Sequence, residues 1–163
     1  MPSHDTPYIA SSVSDAKAIC SIYTLCFGAT LGLASVRTML SSKNNFAFLG
    51  SCDEGGSPGG FIFCRVIGNE SELLWLGVIP SLRRRGGAQV LMVAAIEEAR
   101  VRGSEAMLLE VAEPNEPALF LYKKFGFVTV GKRSRYYKVA SGEKVDAKIM
   151  RLPLKSLMRA VRK

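Results

Sequence analysis

The stretch that most restricts the fold is a junction. An apolar run over residues 73–78 meets Pro80, and then Arg83-Arg84-Arg85-Gly86-Gly87-Ala88. A proline-free segment follows, with no further glycine until Gly103. The run reads as a strand and the segment over 87–102 as a helix, with Gly103 as its stop. Glycines let the backbone turn tightly and bring its N–H groups close to a ligand. A helix N-terminus adds unpaired N–H groups and a positive dipole end. The junction therefore suits a phosphate, although an ordinary basic turn before a helix has the same appearance. It has neither the GxxxxGK[ST] pattern of a nucleoside triphosphate loop nor GxGxxG.

The flanking sequence supplies strands and helices in mixed order. Strands are expected over 6–10, 46–52, 60–67 and 72–78, and helices over about 15–27 and 33–40. Ser12-Val13-Ser14-Asp15 offers N-cap chemistry for the first helix. A second half follows, with a strand over 107–111, a helix capped by Asn115 that runs to Phe125 and is ended by Gly126, and strands over 127–137 and 147–152. Neither a repeat nor a linker interrupts the 163 residues, so one domain is expected over 1–163, with a basic tail at about 155–163.

Composition narrows the function classes. No apolar run reaches the roughly 18 residues that cross a bilayer. The first residues lack a signal-peptide pattern, so a cytoplasmic location and no membrane partner are expected. Cys20, Cys26, Cys52 and Cys64 form no CxxC pair and the one histidine is His4, which argues for reduced thiols and no metal. The net charge of +8 suits an anionic ligand, nucleic acid or an acidic partner without choosing among them. Aromatic-interleaved basic stretches are sparse, so no direct nucleic-acid contact is required.

Two side chains stand out chemically. Glu110 is the lone charge in Met107-Leu108-Leu109-Glu110-Val111, and alternation separates it from Met107, Leu109 and Val111. A carboxylate beside apolar walls suits a base working near neutrality, whereas a strand-end glutamate in solvent would do nothing. Tyr122 lies seven residues after Asn115, about two helical turns. Its phenol can donate a proton, and it can equally be a core residue.

Arg83-Arg84-Arg85-Gly86-Gly87-Ala88 resembles the (Q/R)xxGx(G/A) signature of the GNAT superfamily of N-acetyltransferases. Leu109-Glu110-Val111, Asn115 with Leu121-Tyr122-Lys123-Lys124-Phe125-Gly126-Phe127, and Tyr136-Tyr137 with Asp146-Ala147-Lys148-Ile149-Met150 resemble its RimI-like branch in order and spacing. The resemblance covers residues 74–154, about half of the chain. Gly87 stands where the family often has an aliphatic residue, Ala88 where it often has glycine, and Lys138 where it often has proline.

The resemblance implies an α/β (α+β) fold: a mixed, mostly antiparallel, twisted sheet of about seven strands, flanked by about four helices and splayed at one strand. It implies acetyl-CoA as co-substrate. The family places the pyrophosphate on the backbone from Arg83 through Arg84, Arg85, Gly86, Gly87 and Ala88 to Gln89. It places the pantetheine along Leu76, Gly77 and Val78, with Asn115 contacting the same arm. Glu110 becomes the general base, directly or through water, and Tyr122 the general acid. Tyr136 and Tyr137 would close over the acceptor, with at most one of them facing it, because adjacent strand residues point to opposite faces. The implied acceptor is a protein N-terminus, in the family the alanine of a small-subunit ribosomal protein. A small amine, a polyamine or a lysine side chain is the alternative acceptor, and a non-catalytic acyl-CoA- or nucleic-acid-binding module a further reading.

Overall fold

The computed structural model describes residues 8–52 and 55–154, so the basic tail and His4 lie outside the described residues. Seven strands form one sheet in the order β1-β2-β3-β4-β5-β7-β6. They are β1 (Tyr8–Ala10), β2 (Asn45–Cys52), β3 (Pro58–Ile67), β4 (Glu70–Val78), β5 (Ala106–Ala112), β6 (Val128–Lys138) and β7 (Lys144–Pro153). Only β4 and β5 run parallel, with α3 as their crossover; all other pairs are antiparallel. The helices are α1 (Ala16–Phe27), α2 (Leu33–Ser41), α3 (Gly87–Val101) and α4 (Glu116–Lys124).

The expected element ends hold to within a few residues. Ser12 and Asp15 cap the entry to α1 reciprocally: the Ser12 N–H donates to the Asp15 carboxylate at 2.7 Å. This cap starts as a short 3₁₀ turn over Val13–Asp15, so α1 proper begins one residue after Asp15. Gly103, at φ +83°, ends α3.

The sheet divides the apolar core into two layers. On one face α3 and α4 bury Leu91, Met92, Leu119 and Tyr122 against Ile62, Leu73, Met107, Leu109 and Met150. On the other, α1 and α2 bury Ile19, Ile22 and Val36 against Leu49, Phe61 and Phe63. Burial along β5 alternates as its pattern implies, with Met107, Leu109 and Val111 in the first layer.

One irregularity positions everything that follows. Against β3, Phe63 pairs with Trp75 and Cys64 with Leu73, which leaves Leu74 as an extra residue in β4. The bulge puts Leu74 and Trp75 on the α1 side and returns Leu76 and Val78 to the α3 side. At the same level β4 parts from β5: their ladder runs from Glu70↔Ala106 to Leu73↔Leu109 and stops. Residues 74–78 and 110–112 then diverge, so the sheet opens as a V.

Candidate active site

The V is prolonged by a cleft of about 1040 Å³. Its walls come from the end of β4, the loop after it and α4. Of the residues expected to hold a cofactor, Val78, Arg83, Arg84, Gly86, Gly87, Ala88 and Gln89 line it; Leu76, Gly77, Arg85 and Asn115 are not among its walls. Gly86 caps α3 in the left-handed region at φ +84°, and nothing lies within 4 Å of where its Cβ would be. Arg84 also adopts φ +62°, which an L-residue takes only where its surroundings enforce it. No side chain caps α3, so its first-turn amides face the cleft without a side-chain acceptor. An anion of phosphate size fits this arrangement on both geometry and charge.

The open edge of β4 can be worked out from its ladder. The Ile79 N–H donates to Gly59 on β3 at 2.7 Å. By alternation, the N–H and C=O groups of Val78 and Leu76 turn away from β3, toward the gap. Arg83 takes one of these groups: its Nε donates to the Val78 carbonyl at 2.8 Å. The Arg83 guanidinium also lies beside the Cys26 thiol, whose pKa is raised by burial and pulled back by that arginine. Arg83 thus braces the strand end with its side chain while also lining the cleft. Gly77 faces α1, where a Cβ would meet the Cys26 Sγ at 2.9 Å. The Leu76 side chain packs against the α3-side core, and its backbone groups face the gap between β4 and β5.

Around Glu110 the contacts are made by side chains. Glu110 Oε1 pairs with Arg133 Nε at 3.0 Å, and the Glu110 side chain is one-fifth exposed. Its surroundings are therefore not the purely apolar walls expected from β5 alone. The Arg133 guanidinium sits 5.1 Å from the centre of the Tyr136 ring. The Tyr137 hydroxyl donates to the Glu110 carbonyl at 3.5 Å, and burial together with the Glu110 charge raises the Tyr137 pKa. Tyr136 and Tyr137 do not simply alternate. Between Arg133↔Ala147 and Tyr137↔Val145 strand β6 carries two extra residues, and the two rings meet edge to face at 5.1 Å. Arg135, at φ +53°, lies in this bulge, and the Asp146 carboxylate accepts from its N–H at 2.8 Å.

Tyr122 is buried against Phe127, with ring centres 5.8 Å apart. Burial is the first cause of its upward pKa shift; the neighbouring Tyr137 and Cys64 add to it. The phenol therefore keeps its proton across the physiological range. Asn115 caps α4, its Oδ1 accepting from the Ala118 N–H at 3.3 Å. Across the sheet from α4, Tyr23 contacts Phe27 and Trp75 at 4.7 and 5.7 Å, giving the α1 side of the gap an aromatic wall.

Sequence reasoning missed several of these groups. Arg133 reaches Glu110 only through strand pairing and a bulge that leave no local mark. Phe120, Lys123, Lys124 and Lys148 line the cleft. The lysine pair at the end of α4 was the one available signal, since basic residues beside a phosphate loop add to its field.

The comparisons follow the same geometry. The model of the Acetyltransferase (GNAT) family matches residues 16–127. A curated relative, the ribosomal protein bS18-alanine N-acetyltransferase of Haemophilus ducreyi, is 34% identical over 58% of this chain and 65% of its own length. The match thus spans just under two thirds of that relative. The crystal structure of the ribosomal-protein-alanine N-acetyltransferase of Escherichia coli superposes with a TM-score of 0.80 at 26% identity, over 90% of this chain and 94% of the other. The spermidine/spermine N-acetyltransferase SpeG of Vibrio cholerae shares the fold at 17% identity, with a TM-score of 0.76 over 95% and 96% of the two chains. A parted mixed sheet, an anion loop on α3 and a family match over most of the length agree: the chain belongs to the GNAT acetyltransferase family.

Proposed function

We propose that the protein transfers an acetyl group from acetyl-CoA to the N-terminal α-amine of a protein, a ribosomal protein being the first to test. The observation that carries this reading is the coincidence of the β4–β5 gap with Glu110. Where the ladder ends at Leu73↔Leu109, the next β5 residue is the carboxylate. Acetyl-CoA would supply an activated thioester; the chain's residues supply position and proton transfer. The α3 amides and Arg84 hold the pyrophosphate. The Leu76 backbone and the Val78 N–H pair with the pantetheine in place of a missing strand, and the Val78 N–H lies where it can polarise the thioester oxygen. Asn115 keeps α4, and with it Tyr122, in position.

Only the neutral amine attacks. A protein α-amine has a pKa of about 7.7–8.0 against about 10.4 for lysine, so one modest base suffices for the former. Glu110 takes the proton, directly or through water, and the Tyr122 phenol donates to the departing sulfur. The relatives acting on ribosomal-protein alanine support the α-amine over other acceptors. A ribosomal acceptor implies action in the cytoplasm.

The test incubates the protein with acetyl-CoA and a mixture of N-terminal peptides, lysine peptides and polyamines, and locates the acetyl group by mass spectrometry. Label on α-amines is the expected result. Label confined to lysine side chains or polyamines overturns the acceptor assignment.

A further inference from the structure

We infer that Arg133 is a specificity-determining residue that keeps polycationic amines out of the acceptor site by competing for the Glu110 carboxylate and repelling a second ammonium. The inference rests on the reading of Glu110 as the base for an α-amine acceptor.

The carboxylate that must receive the acceptor's proton is already held by a guanidinium at 3.0 Å. The Arg133 side chain is half exposed and lies over the Tyr136 ring, so it can leave Glu110 without leaving the site. With Arg133 in place, the pair is neutral. An acceptor ammonium adds one positive charge, and the site then holds two cations and one anion. A monocationic amine meets this by taking the place of the guanidinium on Glu110. A polyamine brings a second ammonium a few bonds away, into the space that Arg133 still occupies.

The carboxylates beyond Glu110 that belong to the same ion-pair cluster already face lysines. Glu113 and Asp146, at the end of β5 and on β7, are engaged by Lys132 at 3.7 and 2.7 Å, and Lys148 stands 4.0 Å from Glu113. The groups facing Glu110 from β6 are Arg133 and Tyr137, and Tyr23 of α1 lies within electrostatic reach of Tyr137. The charged side chain in direct contact with the Glu110 carboxylate is the Arg133 cation. Like charges a few ångströms apart at a partly solvated site weaken binding by about tenfold or more.

The experiment measures kcat/KM for spermidine and for an N-terminal alanine peptide in the wild type, Arg133→Gln and Arg133→Lys. The ratio of spermidine to peptide should rise about tenfold in Arg133→Gln, mostly through a lower spermidine KM, and stay near the wild-type ratio in Arg133→Lys. The lysine variant separates charge from shape. An unchanged ratio in Arg133→Gln, or a rise of equal size in Arg133→Lys, overturns the inference while leaving the α-amine reading intact. A wild type that acetylates spermidine but no peptide removes both. Circular dichroism of each variant confirms that the comparison is made on folded protein.

Discussion

The anion loop and the surroundings of Glu110 lie on the same V, yet they are held in different ways. From Arg83 to Ala88 the geometry is local: left-handed Arg84 and Gly86, a helix start, and one arginine returned to the strand it follows. Around Glu110 it is distant. Arg133 and Tyr137 arrive from an edge strand more than twenty positions away, through a two-residue bulge fixed by Asp146. The first region depends mainly on backbone conformation; the second depends mainly on pairs of side chains. On the proposed function, one half of the site could keep its cofactor while the other changes its acceptor.

Substitutions can break the comparison. Glu110→Gln should lower turnover by about 100-fold or more with coenzyme A affinity within twofold, because general-base loss acts on the chemical step. Stopped-flow kinetics and calorimetry report the two separately, and a parallel loss of cofactor affinity would show that the halves are not independent. Tyr122→Phe should slow transfer by about tenfold while leaving acceptor KM nearly constant. It also has a signature in pH. The unfolded chain releases the phenolic proton near pH 10, whereas burial keeps it on the folded protein. Tyr122 therefore costs no stability below about pH 10 and lowers it as the pH rises above that value. Urea titrations at alkaline pH should fall less steeply in the phenylalanine variant.

Smaller effects sharpen the boundary between the halves. Gly77→Ala drives a methyl into the Cys26 Sγ and should destabilise by about 1–3 kcal/mol. Cys26→Ala should restore most of that in a double-mutant cycle, and additive losses would remove the contact. Gly86→Val should cost about 1–2 kcal/mol from its left-handed backbone and weaken coenzyme A binding, with acceptor selectivity unaltered. Asp146→Asn is the mildest. It loosens the Arg135 turn and the Lys132 pair, so acceptor KM should rise while coenzyme A affinity stays constant. The lowered Asp146 pKa gives the sign: its contribution is present above the ordinary aspartate pKa of about 3.9 and is lost as the pH falls through the folded value.

Legibility in the sequence follows the same division. Periodicity and stop glycines gave every strand and helix to within a few residues, because those signals are local. The cleft walls at Arg83, Arg84 and residues 86–89 were legible for the same reason. Burial of Tyr122 and the cap by Asn115 were each one of two open readings, since helix spacing sets a face but not what covers it. The facing of β4 was hidden: Leu73-Leu74-Trp75-Leu76 is apolar throughout, so nothing marks Leu74 as the residue that reverses the alternation. Arg133 was hidden for a related reason. A register shift of two residues decides its neighbour, and register is a property of two strands together.

The four residue pairs that join β4 to β5 also matter for the life of the chain. They are the sheet's only direct seam between its first four strands and its last three. A ligand lying in the gap would add rungs to that seam. A ligand that binds the folded chain alone stabilises it by RT ln(1 + [L]/Kd), about 2.7 kcal/mol at a hundredfold excess over Kd. On the proposed function, acetyl-CoA bound in the gap would protect the folded chain from proteolysis as well as serve the reaction.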